Sequence, residues 1–206
     1  MFKKILIASV LLSFPATQAN AQTTPIKEMP SGVYKLDKNH ASLTWKVSHM
    51  GLSKYTARFT KIDATLDFNS KDPAKSKLTA NIDPTSVKTD YPDAAKKDFD
   101  KELSENDGWF NSKKFPEIKF ESTKIEFTSK NKGKVHGNLT FLGITKPTIL
   151  DVTLNEAYAK MPYLQIPALG FSAKTIIKRS DFNWTNYTPM IGDEVEILIE
   201  VEFEKK

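Results

Sequence analysis

The chain has no cysteine among its 206 residues. That excludes disulfides, thiol nucleophiles, cysteine-ligated metals and the lipidated cysteine of a lipoprotein, so stability must come from the core. Histidine is nearly as scarce: His40, His49 and His136 are the three in the chain, and no two stand at a short ligand spacing such as H-x-x-x-H. Glycine is thin and scattered, with eight residues. No phosphate-cradling loop, nucleophile elbow or zinc-protease helix motif occurs, which leaves nucleotide, hydrolase and metalloprotease chemistry without a motif. Arginine is short too. Arg58 and Arg179 are the two present, and the many lysines are dispersed among acidic residues, whereas a reader of nucleic acid concentrates basic and aromatic groups on one face. Nucleic acid is therefore not expected as a partner. The densest basic stretch, Lys130-Asn131-Lys132-Gly133-Lys134, reads as a solvated hairpin turn, with contact to an anionic surface as its alternative.

Long apolar runs are missing as well. The stretch Ile5 to Phe14 is uncharged but covers only about half the length a membrane-spanning helix needs. With Lys3 and Lys4 before it and Ala19-Asn20-Ala21 after it, the opening has the three regions of a cleavable secretory signal over residues 1–21. A polar lead follows over 22–32, and residues 33–206 have the length of one domain with a sizeable core. The expectation is a soluble protein exported to the periplasm.

What the chain has in quantity is alternation with period two, the mark of strands with one buried and one wet face. In the last segment Val195, Ile197, Ile199, Val201 and Phe203 share one parity, while Glu194, Glu196, Glu200, Glu202, Glu204 and Leu198 share the other. The same rule groups Leu43, Trp45, Val47 and His49; Ile62, Ala64, Leu66 and Phe68; Leu78, Ala80 and Ile82; Val135, Gly137, Leu139 and Phe141; Phe171, Ala173, Thr175 and Ile177. Ile118, Phe120 and Ser122 begin another strand, and Thr148 to Leu154 form one more, for about eight. Turn residues separate them at Asn69 to Pro73, Lys132-Gly133, Leu142 to Pro147 and Ile191 to Asp193. The exception is Asp83 to Pro116, where Ala95, Phe99 and Leu103 recur every fourth residue, as a short amphipathic helix requires. That long connection is the expected lid.

Many antiparallel strands with one helical connection suit a β-sandwich or a closed barrel. Inner faces that mix Trp45 and Phe141 with Ala64, Ala80, Gly137 and Ala173 either fill a sandwich core or leave room for one small ligand in an eight-stranded barrel. The chemistry on offer is apolar: roughly ten buried methylenes yield on the order of 8 kcal/mol, which offsets much of the cost of association. His49 continues an inward parity at a strand end, as either a structural residue or a ligand-facing one.

Several strings carry a resemblance. His40-Ala41-Ser42-Leu43-Thr44-Trp45-Lys46-Val47-Ser48-His49-Met50-Gly51 through Phe59, Phe115 to Thr123, Gly137 to Pro147, Gly170-Phe171-Ser172-Ala173, Ile177 to Phe182 and Gly192-Asp193-Glu194-Val195 resemble, in order and spacing, the YceI-like family from about Val33 to Phe203. The resemblance implies an all-β, lipocalin-like antiparallel β-barrel, periplasmic and non-enzymatic, that encloses an isoprenoid-like or other long-chain lipid as carrier or sequestering protein. No metal or other cofactor is implied. By matching position, the ligand-binding residues would be Leu43, Trp45, Val47, His49, Phe59, Phe120, Leu139, Phe141, Phe171, Ala173, Ile177 and Phe182. An alternative is an accessory module presenting quinone-like lipid to a membrane redox partner such as a cytochrome, and a homodimer is open. Two departures stand out: Glu102 occupies a position where the family tends to show histidine, and Met161 to Leu169 replace its Trp-Gly. A carboxylate at a barrel mouth would repel a pyrophosphate head and favour a neutral or amide one.

Overall fold

Eleven strands and one α-helix follow one another along residues 23–206, the part of the chain that the computed structural model describes. The export signal expected over residues 1–21 lies outside the described residues. The strands are β1 (Gly32–Leu36), β2 (Ser42–His49), β3 (Ser53–Phe59), β4 (Ile62–Phe68), β5 (Lys77–Ile82), β6 (Val87–Lys88), β7 (Ile118–Phe127), β8 (Lys132–Phe141), β9 (Ile144–Tyr158), β10 (Ala168–Lys178) and β11 (Ile191–Lys205). Helix α1 (Phe99–Glu105) lies between β6 and β7. Every pairing is antiparallel, and the pairing of β1 with β11 closes the sheet into a barrel.

Eleven strands fill eight positions around that barrel. Along β11, Phe203 faces Leu36 of β1 and Ile199 faces Leu43 of β2, so β1 and β2 are one position broken in the middle. β4 and β3 share the next, β5 and β6 the one after. Local hydrogen bonds mark two of the breaks: Asp37 accepts from Asn39 N (2.9 Å) and Asp83 from Thr85 N (2.8 Å), the short-range bonding by which aspartate diverts a chain from its ladder. The turn between β8 and β9 is tighter than its sequence suggests. Leu142 and Gly143 both have positive φ, 50° and 75°, as a two-residue hairpin with the sheet's own twist demands. Ile144 to Pro147 therefore belong to β9 rather than to a loop.

A break in register shapes β7. Ser122 pairs with Gly137 but Lys124 pairs with His136, so Thr123 is a bulge and parity flips beyond it. Gly137 stands opposite because nothing larger fits: a Cβ there would lie 2.3 Å from Phe120 Cζ and 2.6 Å from the Glu121 carbonyl oxygen.

The core has two parts. Trp45, Val47, Phe59, Phe110, Phe120, Phe141, Phe182 and Trp184 belong to one; Met29, Tyr34, Leu66, Phe68, Leu169 and Phe203 belong to the other. Each such side chain contributes about 1.5–3 kcal/mol when fully buried. Tyr34 is wholly buried and donates its hydroxyl to the Pro30 carbonyl (2.7 Å), and burial pushes its pKa up to about 12. An unfolded tyrosine ionises near pH 10, so from about pH 10 to 12 the unfolded state loses a proton that the folded state keeps. Stability is expected to fall through that window. Urea midpoints should show Tyr34→Phe falling less steeply there than the parent.

Candidate ligand cavity

The two clusters do not meet in a filled interior. Between them lies a cavity of about 270 Å³. Val195, Ile197, Ile199, Val201 and Phe203 of β11 all face it, so it runs about 27 Å along the strand at roughly 3.4 Å per residue. That is nearly twice the ~15 Å that one leaflet's hydrocarbon occupies in a bilayer. Its volume is just under the usual 300–1,000 Å³ of small-molecule sites. A long, narrow space of this kind fits one extended chain better than a compact ring system.

Nine of the residues expected at the site line the cavity: Leu43, Trp45, Phe59, Phe120, Leu139, Phe141, Phe171, Ala173 and Ile177. Val47 and Phe182 are buried in the core beside it without lining it. His49 is exposed at the end of β2, opposite Ile191 of β11, and does not reach the wall. Strand parity ends there because the chain turns at Met50-Gly51, both at positive φ. The wall also includes residues that parity did not disclose. Ile125 and Phe127 point inward because of the bulge at Thr123, and Phe110 and Trp184 come from irregular segments.

One end is plugged by aromatic rings. Phe110, 3% exposed, meets Trp45 at 6.2 Å between ring centres, Phe59 at 5.6 Å, Phe141 at 5.9 Å and Trp184 at 5.6 Å. It is delivered by the long connection, because β6 pairs with β3 alone and leaves the wall beside β7 without a ladder. α1 packs on the turn before β6 and is capped by Asp98, whose side chain accepts from Lys101 N (2.9 Å). Ala95 precedes the helix rather than joining it. Trp184 is held in turn by its indole N–H to the Gly108 carbonyl (3.2 Å), and Arg179 lies 4.4 Å from its ring.

Wall chemistry is apolar almost throughout. No aspartate, glutamate or histidine lines the cavity among the described residues, and its charged lining side chains are Lys130 and Lys132. Ser76, Thr148 and Thr175 are its neutral hydroxyls. Of the carboxylates, Glu102 pairs with Lys97 (2.9 Å) on the outer side of the plug and is not on the wall. One group could bring three metal-type ligands together, Asp37, His40 and Glu202, but His40 is outside the cavity and already bonded to Asp37 at 2.5 Å. That contact holds the Asp37 carboxyl below its ordinary value and raises the imidazole, the behaviour of a hydrogen-bonded pair whose histidine is exposed.

Comparison with known proteins matches the YceI-like domain model to residues 34–203, nearly the whole barrel. The chain belongs to the YceI-like family. UPF0312 proteins of Photorhabdus laumondii and Yersinia pestis are each 33% identical over 171 residues, covering 82% of this chain and 84% of theirs. Among solved structures, the Campylobacter jejuni YCEI protein is 31% identical, with TM-score 0.67 over 77% of this chain and 90% of that one. Burkholderia cenocepacia BcnA shares the fold at TM-score 0.69 and 24% identity, covering 81% and 98% of the two chains. A polyisoprenoid binding domain from Saccharophagus degradans shares it at TM-score 0.54 and 14% identity, over 84% and 98%. In this YceI-like chain the departure at Met161 to Leu169 falls in and just after the turn between β9 and β10, where Tyr163 is completely exposed. No helix among the described residues is long and apolar enough to cross a membrane.

Proposed function

We propose that this protein is a non-catalytic binding protein of the periplasm that encloses one long-chain, isoprenoid-like lipid in its barrel, as a carrier or sequestering vessel. The observation that carries the reading is the cavity itself: about 27 Å long, apolar along most of its wall, with no aspartate, glutamate or histidine facing it among the described residues. Burial of each methylene yields about 0.8 kcal/mol, so a chain that runs the length of β11 gains enough to offset the entropy of association without any catalytic group. The nine wall residues named above are the proposed contacts. Export complements the fold, since a hydrocarbon chain crossing an aqueous compartment needs a shield.

Organic extraction of protein purified without detergent, followed by mass spectrometry, tests the reading. It predicts one predominant lipid at close to one molecule per barrel. Protein that carries none, and takes up none from mixed lipids, would contradict it.

A further inference from the structure

Among the described residues the cavity lining has one exposed stretch, and it is not beneath the plug. Phe127, Lys130, Asn131 and Lys132, all in the hairpin joining β7 to β8, are the lining residues that stand exposed to solvent. The topology explains why the wall opens there. Lys132 pairs with Thr153, so the hairpin stops partway along β9, while β9 and β10 continue pairing as far as Tyr158 with Ala168. Beyond Thr153 the edge of β9 is met by the N-terminal segment, where Thr24 N donates to the Ala157 carbonyl (2.7 Å) and Ala159 N to Thr24 Oγ1 (2.9 Å), so the exposed part of the wall is the hairpin itself.

That opening is basic. Lys130 and Lys132 are in no ion pair among the described residues, whereas Glu126 pairs with Lys124 and His136, Asp151 with Lys134 and Asp72 with Lys75. Both lysines line the cavity and are exposed, the setting in which long cationic side chains lay their stems along apolar surface and keep their ammonium groups in water. Two cations without an ion-pair partner among the described residues, over the stretch of lining that is exposed among those residues, fit an amphiphile whose tail is inside and whose head carries negative oxygen.

We infer that the hairpin from Phe127 to Gly133 is the entry of the cavity and that Lys130 and Lys132 bind an anionic head group, carboxylate or phosphate, on a single long-chain lipid. This deepens the lipid-binding reading and rests on it. Glu102 is not among the lining residues, so under this assignment head-group choice falls to Lys130 and Lys132 and favours an anion over the neutral head that Glu102 at the mouth would favour.

The test is displacement of N-phenyl-1-naphthylamine from delipidated protein by four C16 chains: palmitate, hexadecyl phosphate, methyl palmitate and hexadecanol. The two anions are expected to bind about tenfold tighter than the two neutral chains, the scale that two exposed ion pairs supply. The gap should shrink with added salt. In the double variant Lys130→Gln/Lys132→Gln it should close by loss of anion affinity alone, and Lys130→Arg/Lys132→Arg should restore it. The tighter of the two anions identifies the head. Equal binding of charged and neutral chains, or a gap that survives in the Gln variant, overturns the assignment of the entry while leaving the barrel a lipid site. If none of the four chains displaces the probe, both readings fall.

Discussion

Replacing Ala173 by phenylalanine is expected to empty the barrel of lipid, at least tenfold by extracted content, while changing unfolding free energy by no more than about 1 kcal/mol. Ala173 faces the cavity from the middle of β10, between Val152 of β9 and Ile199 of β11, which also line it. A benzyl group there enters space that is already open, so it does not force neighbours off their rotamers as it would in a filled core, where overpacking costs about 1–3 kcal/mol. The cavity is narrow, so one ring blocks the chain's path. Extraction and a urea titration on the same preparation separate the two effects. A variant that unfolds like the parent and still carries its lipid would place the ligand elsewhere.

Arg179→Met is expected to remove about 3–5 kcal/mol of stability, the cost of leaving three carbonyls without their charged donor at roughly 1–3 kcal/mol each, out of a total of roughly 5–15 kcal/mol. The guanidinium is completely buried. It donates to the carbonyls of Ile191 (3.2 Å), Gly192 (3.2 Å) and Asn186 (2.7 Å), and it lies 4.4 Å from the Trp184 ring. Burial lowers its pKa, and the nearby Asp193 carboxylate opposes that shift. Three carbonyls, one from the irregular segment after β10 and two from the start of β11, thus converge on one cation, and through it Trp184 is held against Phe110 in the plug. Arg179→Lys should recover little, since an ammonium cannot present the planar fork. Urea midpoints measure the loss, and the indole N–H of Trp184 should exchange with solvent sooner than in the parent. A loss below about 1 kcal/mol would show that the segment holds itself.

Alternation disclosed most of the barrel. The five inward residues of β11 and the inward sets of β4, β5 and β8 fall as period two demands, because each of these strands keeps its parity along the residues concerned. Where geometry changes mid-strand, the pattern misleads. One extra residue at Thr123 moves Ile125 and Phe127 onto the wall, and nothing in their spacing announces it. Phe110 and Trp184 lie outside any regular strand, so their place in the plug depends on long-range packing that no local period encodes. His49 fails in the opposite way: its parity is right, but the strand ends at the rim before its side chain can turn inward. The long connection was legible as a cap and α1 as a helix, although Phe110, rather than the helix face, does the sealing. The basic run at Lys130 to Lys134 was legible as a turn. Its role as an entry depends on β7 and β8 ending short of β9 and β10, which is a property of the assembled sheet.

The measurement that bears most directly on the central claim is the electron density inside the barrel of crystals grown from protein purified without detergent. A single continuous tube is predicted, starting near Phe141 and Trp184, passing Ala173 and leaving beneath Lys130 and Lys132. Separate water peaks along that path, or side chains collapsed to fill it, would contradict a protein built to enclose a lipid.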